Sequence, residues 1–158
     1  MTSPDAVQSL QDRFFPDGMC FGCGPKNQLG LRIKSVVSGD EVIARFLPQP
    51  HHLAYEGMVN GGILGAILDC HSNWTAVHGF MVDRGIDWAP ASVTAEFSVK
   101  LRRPTPMDCE LIARARAASI DGDRAIIDAE IEAAGKITAT CRGTFVAVRP
   151  GHPAYHRW

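Results

Sequence analysis

Val59-Asn-Gly-Gly-Ile-Leu-Gly-Ala-Ile-Leu-Asp-Cys-His-Ser-Asn-Trp-Thr-Ala76 decides how the rest of the chain is read. The segment is apolar on nearly every face of a helix, so it belongs in a core. A carboxylate, Asp69, sits in the middle of it, and a buried carboxylate needs a partner or a job. Asn60 is a good N-cap type and precedes the pair Gly61-Gly62. Glycines there let another group approach free backbone N–H groups at the positive end of the helix dipole. An anion-accepting helix start and a buried carboxylate together imply a site for acyl chemistry. The pattern predicts a helix from about Gly61 to His78, with Gly79 as the residue that stops it.

Working outward, the flanks read as strands. Leu31 to Val37 and Glu41 to Leu47 frame Ser38-Gly39-Asp40 as a hairpin. Residues 48–58 read as a loop holding His51 and His52. Beyond the helix and a second loop, apolar residues fall on the odd positions of Val93 to Leu101, leaving Thr94, Glu96, Ser98 and Lys100 on a polar face. Cys109 to Ile120 and Ala125 to Ala134 continue the alternation. A three-residue Asp121-Gly122-Asp123 loop sets Arg116 opposite Asp128 and Arg114 opposite Glu130. The last strand, Ile137 to Val148, turns Ile137, Ala139, Cys141 and Phe145 inward. Before the hairpin, a short helix is expected around Ala6 to Phe15, then a turn-rich stretch over 19–30. The class is α+β: an antiparallel sheet of about six strands wrapped around one long central helix, the hotdog arrangement. One domain over 1–158 is expected, with an N-terminal extension and turn-rich segment at 1–30, a core at 31–148 and a tail at 149–158.

Composition agrees with a globular chain: 46% apolar and 21% charged residues. A net charge of −1 makes no electrostatic case for a nucleic-acid partner. The start lacks a secretory pattern and the longest apolar run is too short for a bilayer, so a cytoplasmic protein with no membrane partner is expected. Five cysteines are present. Cys20 and Cys23 form a C-x-x-C, but no second pair follows at ligand spacing. The pair reads as two reduced thiols in a tight loop. His71 and His78 could share a helix face without an evident third ligand. No metal and no cofactor are expected.

Gly57-Met58-Val59-Asn60-Gly61-Gly62, followed by Ile-Leu-Gly-Ala-Ile-Leu-Asp69, resembles the hotdog-fold acyl-CoA thioesterases of the phenylacetate-degradation type. Their usual motif is His-Gly-Gly with an Asp eight residues after the first Gly, the spacing of Gly61 to Asp69. The Cys20-Phe-Gly-Cys-Gly-Pro25 turn, ending in Gly30-Leu31, resembles an N-terminal signature of one branch. The motif His is Asn60 here, and an Asn six residues earlier is Ala54. The resemblance implies hydrolysis of an acyl-CoA (or aryl-acyl-CoA) by a homo-oligomer, CoA being part of the substrate.

The expected roles follow from the chemistry. Gly61 and Gly62 offer N–H groups to the oxyanion. Asp69 acts as nucleophile or as general base on water. Asn60 is first a cap, with a donor role at the substrate carbonyl kept open. The resemblance gives Thr94 the place of a Ser or Thr that positions water or substrate. Asn73, one turn after Asp69, could orient the carboxylate, and Gly65, one turn before, leaves room beside it. Lys100, Arg102 and Arg103 are the candidate partners of CoA phosphates, with Arg142 and Arg149 as alternatives. Gly61 and Asp69 are about 12 Å apart along one helix, so a single thioester carbon meets both only if they come from two copies of the chain. The rival reading is a hotdog domain that binds acyl-CoA without turnover.

Overall fold

A computed structural model describes residues 7–155. Helix α1 (Leu10–Phe14) is capped by Ser9, whose hydroxyl accepts from Asp12 N. It is shorter than expected, and Ala6 lies outside the described residues. Strands β1 (Ser35–Ser38) and β2 (Glu41–Phe46) form the first hairpin. A 3-10 turn (Pro50–His52) and a two-stranded ribbon, β3 (Leu53–Tyr55) and β4 (Met58–Val59), occupy what the sequence suggests is a loop. Helix α2 (Gly61–Arg84) follows, then β5 (Ser92–Leu101), β6 (Leu111–Asp121), β7 (Arg124–Ala133) and β8 (Lys136–Ala147).

The six long strands form one antiparallel sheet in the order β1-β2-β6-β7-β8-β5. Helix α2 lies across its inner face. Much of that face is alanine: Ala113, Ala115, Ala125, Ala129, Ala139 and Ala147 are all buried. Small strand residues let a bulky helix sit close, and α2 fills the space with Leu64, Ile67, Leu68, Trp74, Val77 and Phe80. Each large side chain so buried contributes roughly 1.5–3 kcal/mol of transfer free energy.

The helix runs a turn and a half beyond the expected stop. Gly79 is a packing glycine: a Cβ there would lie 2.6 Å from Ile120 Cδ1. The stop is Gly85, which takes φ 62° and sends its N–H back to Met81 O and Val82 O.

The Arg114–Glu130 and Arg116–Asp128 register is as expected, but for a different reason. The turn has only two residues, Gly122-Asp123, and the odd residue is absorbed by a bulge at Ala118. The ion pairs run elsewhere: Arg114 and Arg116 to Glu41, and Arg142 to Asp128. A second bulge, at Thr138, moves Ile137 out of the inner row and into register with Glu132.

A third bulge matters most. In β5, Thr94 pairs with Phe145 and Glu96 with Thr144, leaving Ala95 as the extra residue. Phe145 faces the core, so Thr94 does too. Beyond the bulge the inner face passes to Phe97, Val99 and Leu101. Unbroken alternation had placed Thr94 and Glu96 on one polar face; the structure puts them on opposite sides.

Candidate active site

Asp69 lies about a third of the way along α2 and is half-buried. Thr94 Oγ1 donates to Asp69 Oδ1 at 2.6 Å. The Ala95 bulge makes this bond, since it turns Thr94 toward the helix. Desolvation pushes the Asp69 carboxyl above its ordinary range, the Thr94 bond opposes this, and negative charge at Cys20 adds to it. Oδ2 carries no hydrogen bond among the described residues. A Cβ at Gly65 would meet nothing within 4 Å, so the helix face one turn before Asp69 borders open space.

Asn60 caps α2. Its Oδ1 accepts from Gly62 N at 2.8 Å and from Ile63 N at 3.3 Å. The two expected oxyanion donors therefore divide. Gly62 N–H serves the cap, while Gly61 N–H has no partner among the described residues. The loop holding this helix start is fixed from both sides: Asn60 N donates to His52 O and Val59 N to Thr105 O. Leu101, at the end of β5, closes on Gly61 so tightly that a Cβ there would lie 2.9 Å from Leu101 Cδ1.

Asn73 does not reach Asp69. Its Nδ2 donates to Ser92 O at 3.2 Å, so it anchors β5 just before Thr94. Its Oδ1 and the neighbouring Ser92 Oγ are buried without partners among the described residues.

The basic candidates separate from the carboxylate. Lys100 and Arg102 line an open groove on the outer face of the sheet, with Arg114, Arg116 and Arg142; Asp69 does not line it. Arg102 Nε donates to Thr140 Oγ1, and the Arg102 and Arg103 amides donate to Thr138 O. These residues flank the Gly61 end of α2, through Leu101, rather than the Asp69 end. The alternatives are engaged: Arg142 with Asp128 and Arg149 with Asp123.

Two groupings were not read from the sequence. His71 is buried in a chain linking four elements. Nε2–H donates to Val42 O, so Nδ1 accepts from Ser35 Oγ, which accepts from Gln11 Nε2. The other is Cys70, which joins Cys20 and Cys23; all three sulfurs lie within 4.8 Å of one another.

With this geometry the chain has the hotdog fold of thioesterase-superfamily proteins. A thioesterase superfamily protein from Shewanella loihica PV-4 matches with TM-score 0.61 and 27% identity, over 74% of this chain and 91% of that one. The E. coli PaaI protein of the phenylacetic acid degradation operon matches with TM-score 0.64 and 17% identity, over 75% and 81%. A phenylacetic acid degradation-related protein from Ralstonia eutropha JMP134 gives TM-score 0.61 and 21% identity, over 73% and 85%. No protein-family model and no curated protein sequence matches. None of the described helices is long and apolar enough to cross a membrane.

Proposed function

We propose that this chain hydrolyses an acyl-CoA thioester, with each site shared between two copies. The observation that carries the reading is the Thr94–Asp69 bond at 2.6 Å. It fixes one carboxylate oxygen and leaves the other for a water or a thioester carbon. As general base, Asp69 takes a proton from water, whose oxygen attacks the carbonyl. As nucleophile, Asp69 forms a mixed anhydride that water then opens. In both routes the C–S bond breaks and CoA leaves as its thiolate. The Gly61 N–H stabilises the oxyanion. The fold shared with a thioesterase superfamily protein supports the same reaction class. Cysteines not paired in disulfides suit a reducing cytoplasm.

Gly61 and Asp69 sit on one helix, about 12 Å apart along its axis. The second copy is therefore part of the site. Strand β5 supports this: it is ten residues long, stands at the edge of the sheet, and exposes Phe97 (43%) and Leu101 (57%). Long apolar edges are covered in working proteins. Lys100, Arg102 and Arg103 lie at the Gly61 end of this arrangement and serve the CoA phosphates.

One observation favours an acyl-CoA binder without turnover: the Asn60 cap uses Gly62 N–H and leaves one amide for the oxyanion. Free-thiol release from a panel of acyl-CoAs, by the natural chain and by Asp69→Asn, separates the readings. Saturable binding without thiol release by the natural chain would establish the binder.

A further inference from the structure

The turn that packs against the carboxylate's helix carries chemistry that the reaction above does not use. Cys20 and Cys23 sit on the turn, and Cys70, 50 residues after Cys20, follows Asp69 on α2. Cys20 Sγ and Cys70 Sγ are 3.8 Å apart. Zinc–sulfur bonds of about 2.3 Å in a tetrahedron set neighbouring sulfurs about 3.8 Å apart.

The backbone is shaped around these sulfurs. Gly22 lies against Cys70, so that a Cβ would fall 2.2 Å from Cys70 Sγ. Gly24 allows the chain to fold back: a Cβ there would lie 2.4 Å from Cys20 N and 2.6 Å from Gly18 O. The Gly24 N–H closes the turn onto Cys20 O at 2.8 Å. Trp74 Nε1–H donates to Cys23 Sγ at 3.4 Å. Three thiols at this spacing ionise together only around a cation.

We propose that Cys20, Cys23 and Cys70 bind one zinc ion, which fastens the N-terminal turn to helix α2. Three Zn–S bonds form, the ligands that are still thiols lose their protons to solvent, and no electron is transferred. Soft thiolates select zinc over hard cations. Cys20 is exposed, so the fourth position opens on that side and takes a water. A search of the sequence for a second C-x-x-C misses this site, because the third ligand comes from the central helix.

The test is zinc content by elemental analysis of the full chain, purified under reducing conditions from zinc-supplemented culture. About one zinc per chain is expected. Cys20→Ser and Cys70→Ser should each lose at least tenfold in retained zinc, while Cys109→Ser keeps it. Cys20 is exposed, so its variant leaves the core packing intact and stays informative should Cys70→Ser fail to fold. Cobalt exchanged into the natural chain should show thiolate-to-cobalt charge-transfer absorption, absent from Cys20→Ser. Zinc far below one per chain with all thiols reduced, or zinc unchanged by Cys20→Ser, would overturn the proposal. So would a Cys20–Cys70 disulfide in metal-free protein, which would make the cluster a redox pair.

Discussion

Asn60 gives its side-chain oxygen to the amides of Gly62 and Ile63, the ordinary work of an N-cap. Ser at position 60 caps about as well, so Asn60→Ser should shift urea-unfolding stability by less than about 0.5 kcal/mol, whereas Asn60→Ala should cost about 1 kcal/mol. If the cap is its whole role, the Ser variant keeps the natural hydrolysis rate. A clear fall in kcat at unchanged stability would show that the amide also touches substrate. The sequence made Asn60, Gly61 and Asp69 legible because each is a local signal: a cap type, a glycine pair, a charge in an apolar run. Asn73 was misread because helical spacing puts it on the Asp69 face, but only tertiary packing shows that its amide turns to Ser92.

At the scale of elements, the fold was largely legible from periodicity. The exceptions were the places where one residue breaks the period. The bulge at Ala95 lies within an unbroken polar–apolar alternation, so nothing local marks it, yet it brings Thr94 to Asp69. Gly79 and Gly85 are both plausible helix stops; the contact of Gly79 with Ile120 decides between them. The His71 network ties α1, β1, β2 and α2 together, and it carries a pH signature. Burial lowers the His71 pKa to about 4 from 6.5, against a backbone bond to Val42 that raises it. Between those values the unfolded chain binds the proton and the folded chain does not, so stability falls as pH falls. From pH 7 to about pH 5 this costs about 2 kcal/mol. His71→Gln, neutral throughout, should be less stable at pH 7 and lose that part of the slope. Urea unfolding at the two pH values checks the difference; equal slopes would mean that His71 is not buried as described.

For the whole molecule, the proposed reaction needs a second copy if both Gly61 and Asp69 are to meet one thioester, and the open β5 edge offers the surface. Mixing Asp69→Asn with Gly61→Pro chains should restore activity that neither has alone, because each mixed dimer holds one site with both groups sound. Pro fits the first helical position, Asn60 before it has ψ 132°, and the nearest neighbour is the flexible end of Leu101. No recovery from folded, demonstrably mixed dimers would count against the shared site. The thiol cluster, assembled from distant segments, lies beyond local pattern, which is why the sequence motif located Asp69 but not all of its surroundings. The central claim is that Asp69 is the group that acts on the thioester. Single-turnover hydrolysis of the best acyl-CoA of the panel by Asp69→Asn tests it most directly. The account predicts a rate lower by at least about 10²–10⁴, with acyl-CoA binding and melting temperature nearly unchanged. Turnover at the natural rate would contradict it and leave Asp69 a structural partner of Thr94.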